Sequence, residues 1–170
     1  MLSFDIRSLE SHAAQVDGRL APDDAVWEDG DVRPVEPIRV EGRLSAAGTS
    51  RFYFSGRFFG ELEMPCRRCL REVRESVEED AHFIFSSEGD DSMDDPDVFP
   101  FDPNSAKLDL RPAVREAWLL AVPGFVLCRE DCKGLCPNCG ADWNSERCDC
   151  APTATDDRWG ALKAVRDQLP

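Results

Sequence analysis

The eight cysteines constrain this chain more than any other feature of its sequence. They form four close pairs, Cys66/Cys69, Cys128/Cys132, Cys136/Cys139 and Cys148/Cys150. Six of them crowd into the 23 residues from Cys128 to Cys150. In a reducing compartment such pairs do not form a disulfide framework, whereas closely spaced thiolates are the usual means of chelating a metal. The pattern therefore predicts metal or redox chemistry.

The clearest single motif is Cys136-Pro-Asn-Cys139-Gly140. Two thiolates separated by two residues bind one ion from a tight turn, and proline and glycine both suit that turn. A further pair, Cys148-Asp-Cys150, follows after eight intervening residues. Four sulfurs at about 2.3 Å from one ion can come from these two short segments. We expect a zinc site with four cysteine ligands here.

The other four cysteines complete a second set of four ligands. Cys66-Arg-Arg-Cys69 and Cys128-Arg-Glu-Asp-Cys132 can bind a second zinc ion, which would tie the sheet to the start of the cysteine-rich tail. Another division stays open, in which Cys128/Cys132 join Cys136/Cys139. One pair could also be free thiols.

Redox and catalytic readings of the cysteines fit less of the sequence. Residues 132–139 have the C-x-x-x-C-x-x-C spacing of radical iron–sulfur enzymes, but only 31 residues follow Cys139, where those enzymes have a large barrel. The ferredoxin spacing C-x-x-C-x-x-C-x-x-x-C-P is matched only at its last step, from Cys132 to Cys136-Pro137. A thioredoxin-like C-x-x-C should open a helix, whereas Cys66–Cys69 lies between strand patterns. Closed all-thiolate sites are structural, so we expect a protein without enzymatic activity.

The hydrophobic pattern predicts an α+β fold. Apolar and polar residues alternate over 38–85, as in half-buried strands, and an acidic segment at about 86–104 predicts a loop. An apolar stripe predicts a helix at about 109–122, and Thr155 can cap a short C-terminal helix. We expect an antiparallel β-meander or small barrel-like sheet with one packed helix, in a β-rich domain over 1–127. A zinc-ribbon-like, cysteine-rich tail over 128–170 completes the fold.

The charge is strongly segregated along the chain. The net charge is −14, yet residues 33–74 carry +4 and residues 75–102 carry −11. Bulk affinity for nucleic acid should be poor at this net charge, so any RNA contact should be local. The candidate RNA-contacting residues lie in and near the basic region: Arg43, Arg51, Arg57, Arg67, Arg68, Arg71 and Arg74. The alternative is that several of them pair with Glu61, Glu63 and Glu72.

The ends and apolar runs of the chain suggest a soluble protein. The first ten residues include three charged side chains and no apolar core of a secretory signal. The longest apolar run, at 118–127, has ten residues and is far too short for a bilayer span. We expect a cytoplasmic protein.

Several motifs in order resemble one bacterial family, the YceD-like large ribosomal RNA subunit accumulation proteins. The resemblance covers about residues 35–169 and rests on Met64-Pro-Cys66-Arg-Arg-Cys69-Leu70, Leu108-Asp-Leu-Arg-Pro, the cysteine cluster with Trp143-Asn144, and Asp156-Asp-Arg-Trp-Gly-Ala-Leu-Lys. It implies a non-enzymatic role in accumulating or processing large-subunit ribosomal RNA, hence in assembly of the large subunit. Expected partners are the ribosomal RNA precursor, a basic large-subunit ribosomal protein, or both. A zinc-ribbon adaptor that binds another protein, and a thiol redox or iron–sulfur protein, are the alternatives.

Overall fold

The fold contains a five-stranded sheet, a two-stranded sheet and two helices within the residues that the structure describes. This computed structural model describes residues 1–87, 98–150 and 162. In chain order the elements are β1 (Ser3–Asp5), α1 (Ile6–Ser11), β2 (Ala14–Leu20), β3 (Ile38–Ala46), β4 (Arg51–Pro65), β5 (Glu72–Ser87), β6 (Val98–Phe101), β7 (Lys107–Asp109) and α2 (Arg111–Ala121).

The large sheet has the strand order β2-β3-β4-β5-β6, and β1 pairs with β7 in the small sheet. β2 with β3 and β3 with β4 are antiparallel. Side chains of β4 and β5 also meet in antiparallel order, since Arg57 contacts Glu78 whereas Arg74 contacts Glu63. β6 pairs in parallel with the last four residues of β5. The α+β class is confirmed, and the sheet is mixed where an antiparallel meander was predicted.

The segment predicted as an acidic loop, 86–104, contains strand β6. The first and last residues of β6 are buried, and the Phe99 ring lies 5.6 Å from that of Phe83 in an edge-to-face contact. Three apolar side chains in four residues hold this short strand in place, because their burial outweighs the acidic composition around them. The middle of the predicted loop, 88–97, lies outside the described residues.

The predicted alternation puts one face of the strands in the core. The buried apolar side chains of β2 to β5 are Val16, Leu20, Ile38, Val40, Leu44, Phe52, Phe54, Phe58, Leu62, Val77, Ala81, Phe83 and Phe85. Trp118 of α2 is fully buried with them, and its indole Nε1 donates to the carbonyl of Val32 at 2.7 Å. A Cβ atom at Gly60 would lie 2.5 Å from the Trp118 ring. The missing side chain at Gly60 therefore makes room for the indole.

Helix α2 occupies the predicted position. It runs Arg111–Ala121, against the predicted 109–122, and Pro112 lies in its first turn. The Asp109 carboxylate accepts a hydrogen bond from the backbone N–H of Arg111 at 3.0 Å, which satisfies one of the free donors of the first turn. The C-terminal helix predicted from Thr155 lies outside the described residues, except that Leu162 is helical.

The chain divides into two compact units. One comprises Met1–Met64 with Glu72–Val126, and the other comprises Pro65–Arg71 with Leu127–Pro170. The predicted boundary at 127/128 kept 65–71 with the sheet, whereas the structure groups this segment with the cysteine-rich tail. The described residues contain no helix with the length and apolar character that a membrane span needs.

Candidate metal centres

The structure brings the eight cysteines together as two sets of four. The first cluster is Cys66, Cys69, Cys128 and Cys132, and the second cluster is Cys136, Cys139, Cys148 and Cys150. Within each cluster all four sulfur atoms lie within 4.8 Å of one another. This is the division into two sites that the sequence analysis put first. The alternative division, which joined Cys128/Cys132 to Cys136/Cys139, does not match this grouping.

The sulfur–sulfur distances of the first cluster suit a tetrahedral ion. The Sγ atoms of Cys66 and Cys132 are 3.8 Å apart, and those of Cys69 and Cys128 are 3.6 Å apart. Four sulfurs at about 2.3 Å from a central zinc ion would be about 3.8 Å from each other, whereas a disulfide requires about 2.05 Å. The first cluster therefore has the spacing of a metal site and not that of paired disulfides.

The first knuckle, residues 66–71, lies in the turn between β4 and β5, as predicted. The backbone N–H of Leu70 donates to the carbonyl of Cys66 at 2.9 Å, and the N–H of Cys66 donates to the carbonyl of Arg71 at 2.7 Å. Leu70 has a positive φ of 59°. Closing this turn with only two residues between the cysteines requires a left-handed residue after the second cysteine, here Leu70.

The second knuckle, residues 136–141, repeats the same turn in the tail. The N–H of Gly140 donates to the carbonyl of Cys136 at 2.9 Å, and the N–H of Cys136 donates to the carbonyl of Ala141 at 2.8 Å. Gly140 has a φ of +76° and takes the place of Leu70 in the first knuckle. The glycine that the sequence analysis found suited to this turn thus has the left-handed conformation. The two knuckles share their backbone hydrogen bonds but have different residues at the left-handed position.

Two polar side chains support the sulfurs, and the sequence analysis gave neither a structural role. The Asn144 side-chain amide donates to Cys132 Sγ at 3.5 Å, while its oxygen accepts from the backbone N–H of Lys133 at 2.8 Å. The Trp143 indole donates to Cys148 Sγ at 3.4 Å. Such donors stabilise a ligating thiolate without binding the ion themselves. The motif Trp143-Asn144 was visible in the sequence, but its partners lie across turns that the sequence does not define.

Arg68 joins the first knuckle to the residues around Cys132. Its guanidinium donates to the carbonyl of Cys132 at 2.7 Å and to that of Glu130 at 3.3 Å. Its own carbonyl accepts from the N–H of Leu135 at 3.1 Å. These bonds give Arg68 a structural part in the first cluster.

The thiols of the first cluster differ widely in pKa. Backbone N–H groups, that of Cys128 first and that of Cys69 next, lower the pKa of Cys66 to about 6. Burial, followed by the hydrogen bond with Cys132, raises the pKa of Cys128 to about 12. One thiol is thus stabilised as a thiolate while a neighbour is held protonated, because burial and the adjacent thiols disfavour a second charge. A divalent cation at their centre would remove that conflict.

The second cluster shows the same difference in thiol pKa, and its cysteines are more exposed to solvent. The backbone N–H groups of Cys139 and Asn138 lower the pKa of Cys136 to about 6. The hydrogen bond with Cys139, together with burial, raises the pKa of Cys150 to about 12. Cys136 is buried, but Cys139 and Cys150 are exposed, whereas three cysteines of the first cluster are buried. The first cluster is therefore the more enclosed of the two.

Four thiolates match what a structural zinc site requires. Zinc is four-coordinate in such sites and accepts an all-cysteine ligand set, and a catalytic site keeps one position open for water or substrate. Each cluster supplies four sulfurs and so can fill every position. The clusters can hold metal ions, and their donor set favours a structural ion over a catalytic one.

The seven arginines considered for RNA contact lie in varied surroundings. Three form ion pairs: Arg57 with Glu78 and Asp80, Arg74 with Glu61 and Glu63, and Arg71 with Asp142. Arg68 binds carbonyl oxygens, Arg51 is half-buried and Arg67 is exposed. Arg43 is exposed on β3, opposite Ser55 of β4. The pairing expected for Glu61 and Glu63 is present, and RNA contact by these residues stays a prediction.

Comparison with known proteins gives one family and two relatives. A family model described as "Large ribosomal RNA subunit accumulation protein YceD" matches residues 54–166. The chain is 25% identical over 166 residues to the uncharacterized protein YlbN of Bacillus subtilis (strain 168), which covers 97% of this chain and 95% of that protein. It is 32% identical over 152 residues to the chloroplastic "Large ribosomal RNA subunit accumulation protein YCED homolog 1" of Arabidopsis thaliana. That match covers 81% of this chain and 47% of the Arabidopsis protein, so the chain spans about half of its length. No solved structure matches the chain.

Proposed function

Because the chain belongs to the YceD family of large ribosomal RNA subunit accumulation proteins, we propose that it promotes accumulation of large-subunit ribosomal RNA. It would act in the cytoplasm as a non-enzymatic factor in processing this RNA and assembling the large subunit. The observation that carries the proposal is the extent of the family match. Residues 54–166 include both cysteine clusters and most of the sheet, so the resemblance is not confined to a metal-binding motif.

In this proposal each cluster holds one zinc ion. The first ion would be bound by Cys66, Cys69, Cys128 and Cys132, and the second by Cys136, Cys139, Cys148 and Cys150. Zinc supplies no redox chemistry, and its contribution is the free energy that folds the segments carrying its ligands. The tail needs this contribution, since among its described residues few apolar side chains are buried apart from the cysteines.

Charge limits how such a factor can meet the ribosomal precursor. Eight thiolates and two zinc ions would take the net charge from −14 to about −18. Phosphate affinity depends on the number of phosphates neutralised, so RNA contact would have to be local, at exposed arginines such as Arg43 and Arg67. A basic large-subunit ribosomal protein is the other partner that this charge favours.

The function is tested by depletion in the organism that carries the chain. We expect depletion to lower mature large-subunit ribosomal RNA, with small-subunit RNA little changed, and precursors of the large subunit to accumulate in a density gradient. Re-expression of the intact chain should restore the profile. Unchanged RNA levels and subunit profiles on full depletion would overturn the proposal.

The metal part is tested on the purified protein. We expect elemental analysis to find two zinc ions per chain, and a solution without visible absorption. Cys136→Ser should lose one ion and make the tail sensitive to protease, because metal binding and folding are coupled there. Asn138→Ser changes the same turn without removing a ligand, so it should retain both ions. Bound iron with a brown colour would instead support an iron–sulfur protein, and full zinc content in Cys136→Ser would contradict the assigned ligands.

A further inference from the structure

A groove in the first unit lies between helix α2 and strand β5. It forms an open cavity of about 390 Å³, within the range of about 300–1,000 Å³ that is typical of ligand pockets. Its apolar lining includes Phe58, Phe83, Phe99, Ala117 and Leu120. Leu120 is 81% exposed although it borders this apolar lining. The groove therefore presents an apolar surface that a partner's side chain could cover.

One side of the groove is a strand edge that has no partner strand among the described residues. β6 pairs with β5 only at residues 84–87, and β4 lies on the other side of β5. Within the described parts of the chain, no strand pairs with the free edge of β5 over residues 72–83. Residues 79–83 of this edge line the cavity. Free N–H and C=O groups of a strand edge are the usual template on which an extended peptide is added to a sheet.

The rim of the groove is acidic. Glu79 and Asp80 of β5 and Glu116 of α2 line it, and no Lys or Arg in the described part of the chain does. Asp80 is 3.6 Å from the Arg57 guanidinium, but the described residues provide no ion pair for Glu79 or Glu116. Glu79 is exposed although it shares the strand face of the buried residues Val77 and Ala81. Two carboxylates without a close ion pair among the described residues thus flank an apolar cavity.

We propose that this groove binds an extended basic segment of another protein, which pairs with the free edge of β5. Positively charged side chains of that segment would lie beside Glu79 and Glu116, and an apolar side chain would enter the cavity next to Leu120. Charge selects this occupant. RNA would bring phosphates to a carboxylate rim, and a second copy of this chain would bring the same carboxylates and a net charge of −14. The inference goes beyond the proposed function and needs no ribosome for its test.

The test uses the zinc-loaded full-length chain and labelled peptides in a fluorescence anisotropy titration. The probe is Ac-Lys-Val-Arg-Leu-Lys-Val-Arg-NH2, which alternates basic and apolar residues. One comparison peptide replaces the bases by Glu, and another replaces Val and Leu by Ser. We expect the basic, alternating peptide to bind at least tenfold tighter than either. A fourth peptide, N-methylated at alternate backbone nitrogens, should bind at least threefold more weakly, because it lacks donors for strand pairing.

Variants locate the binding. The double variant Glu79→Gln/Glu116→Gln should weaken the probe about threefold to tenfold at low salt, as expected for two partly exposed charge pairs. Its matched control, Glu10→Gln/Glu36→Gln, removes the same charge from exposed positions elsewhere and should bind as the wild type does. Leu120→Ser should also weaken binding, and its exposure makes unfolding by this change unexpected.

Three results would overturn the inference. The first is equal binding of the basic and acidic peptides, or no binding of any. The second is an unchanged affinity in Glu79→Gln/Glu116→Gln. The third is displacement of the peptide by a single-stranded RNA oligonucleotide whose own binding is weakened by Leu120→Ser. That result would assign the groove to RNA.

Discussion

Replacing Leu70 by glycine is expected to stabilise the first knuckle, and the reverse change at Gly140 to destabilise the second. Both residues follow the second cysteine of a C-x-x-C turn and have positive φ values of 59° and 76°. Their backbone hydrogen bonds are the same within 0.1 Å. The chain therefore contains two versions of one turn that differ in the residue at the left-handed position.

The size of the effect follows from backbone conformation. A non-glycine residue in the left-handed region costs about 1–2 kcal/mol. Glycine removes that strain, but its greater conformational freedom in the unfolded chain lowers the stability by about 0.4–1 kcal/mol. Leu70 is 63% exposed and loses little packing, and a Cβ at Gly140 would meet no atom within 4 Å. We therefore expect a gain of about 0.5–1 kcal/mol for Leu70→Gly and a similar loss for Gly140→Leu.

Metal affinity is the appropriate measurement, because binding and folding of the knuckle are coupled. A change of about 0.5–1 kcal/mol corresponds to about a two- to fivefold change in the dissociation constant. Titration of the zinc-loaded protein with a colorimetric chelator should show tighter retention of one ion in Leu70→Gly and easier loss of one ion in Gly140→Leu. Leu70→Ala separates the backbone from the side chain, since it keeps the strain and should behave like the wild type.

Two outcomes would refute this reasoning. If Leu70→Gly releases zinc more easily than the wild type, the leucine side chain contributes more than its backbone strain costs. If Leu70→Ala gives the same gain as Leu70→Gly, the gain comes from losing an exposed apolar side chain and not from the left-handed conformation.

Three further substitutions test the fold and the first cluster. Gly60→Ala should lower the free energy of unfolding by about 1–3 kcal/mol in a thermal or denaturant melt, since its Cβ would lie 2.5 Å from the Trp118 ring; an unchanged melt would contradict this contact. The hydrogen bond from Arg115 holds the pKa of Asp31 below its ordinary value, so this pair stabilises the fold at neutral pH and the stabilisation is lost as the pH falls through the lowered pKa. Asp31→Asn should therefore destabilise at pH 7 and make the acid side of the stability–pH curve less steep, and an identical curve would argue against the pair. Asn144→Leu removes the donor to a sulfur of the first cluster and should weaken zinc retention about tenfold or more in the chelator titration, with the other ion held as in the wild type.

Much of the candidate site followed from local sequence. The Cys136–Gly140 turn depends on five consecutive residues, so its ligands and its left-handed glycine were predictable. Leu70 was not predicted in that conformation, because leucine disfavours it and only the closed ring of hydrogen bonds with Cys66 imposes it. The partners of Asn144 and Arg68 likewise depend on chain segments that are distant in sequence.

Some elements of the fold were likewise predictable from local sequence and others were not. Alternation over 38–85 identified the long strands and their buried faces, and an apolar stripe identified α2. The first 20 residues were not assigned elements, although Leu2, Ile6 and Leu9 belong to the core. Their strands and helix are only three to seven residues long, and such short apolar patterns do not distinguish a strand from a loop.

The sequence by itself determined that this chain can bind metal through paired cysteines and that residues 38–85 form a half-exposed sheet. Both properties depend on neighbouring residues, through turn geometry and side-chain periodicity. The tertiary structure decided between the cysteine divisions that the sequence left open, by joining Cys66 and Cys69 to Cys128 and Cys132 across about 60 residues. It alone decided that β6 runs parallel to β5, which leaves an edge of β5 unpaired among the described residues. These pairings depend on which distant apolar faces are buried together, and that competition involves the whole chain at once.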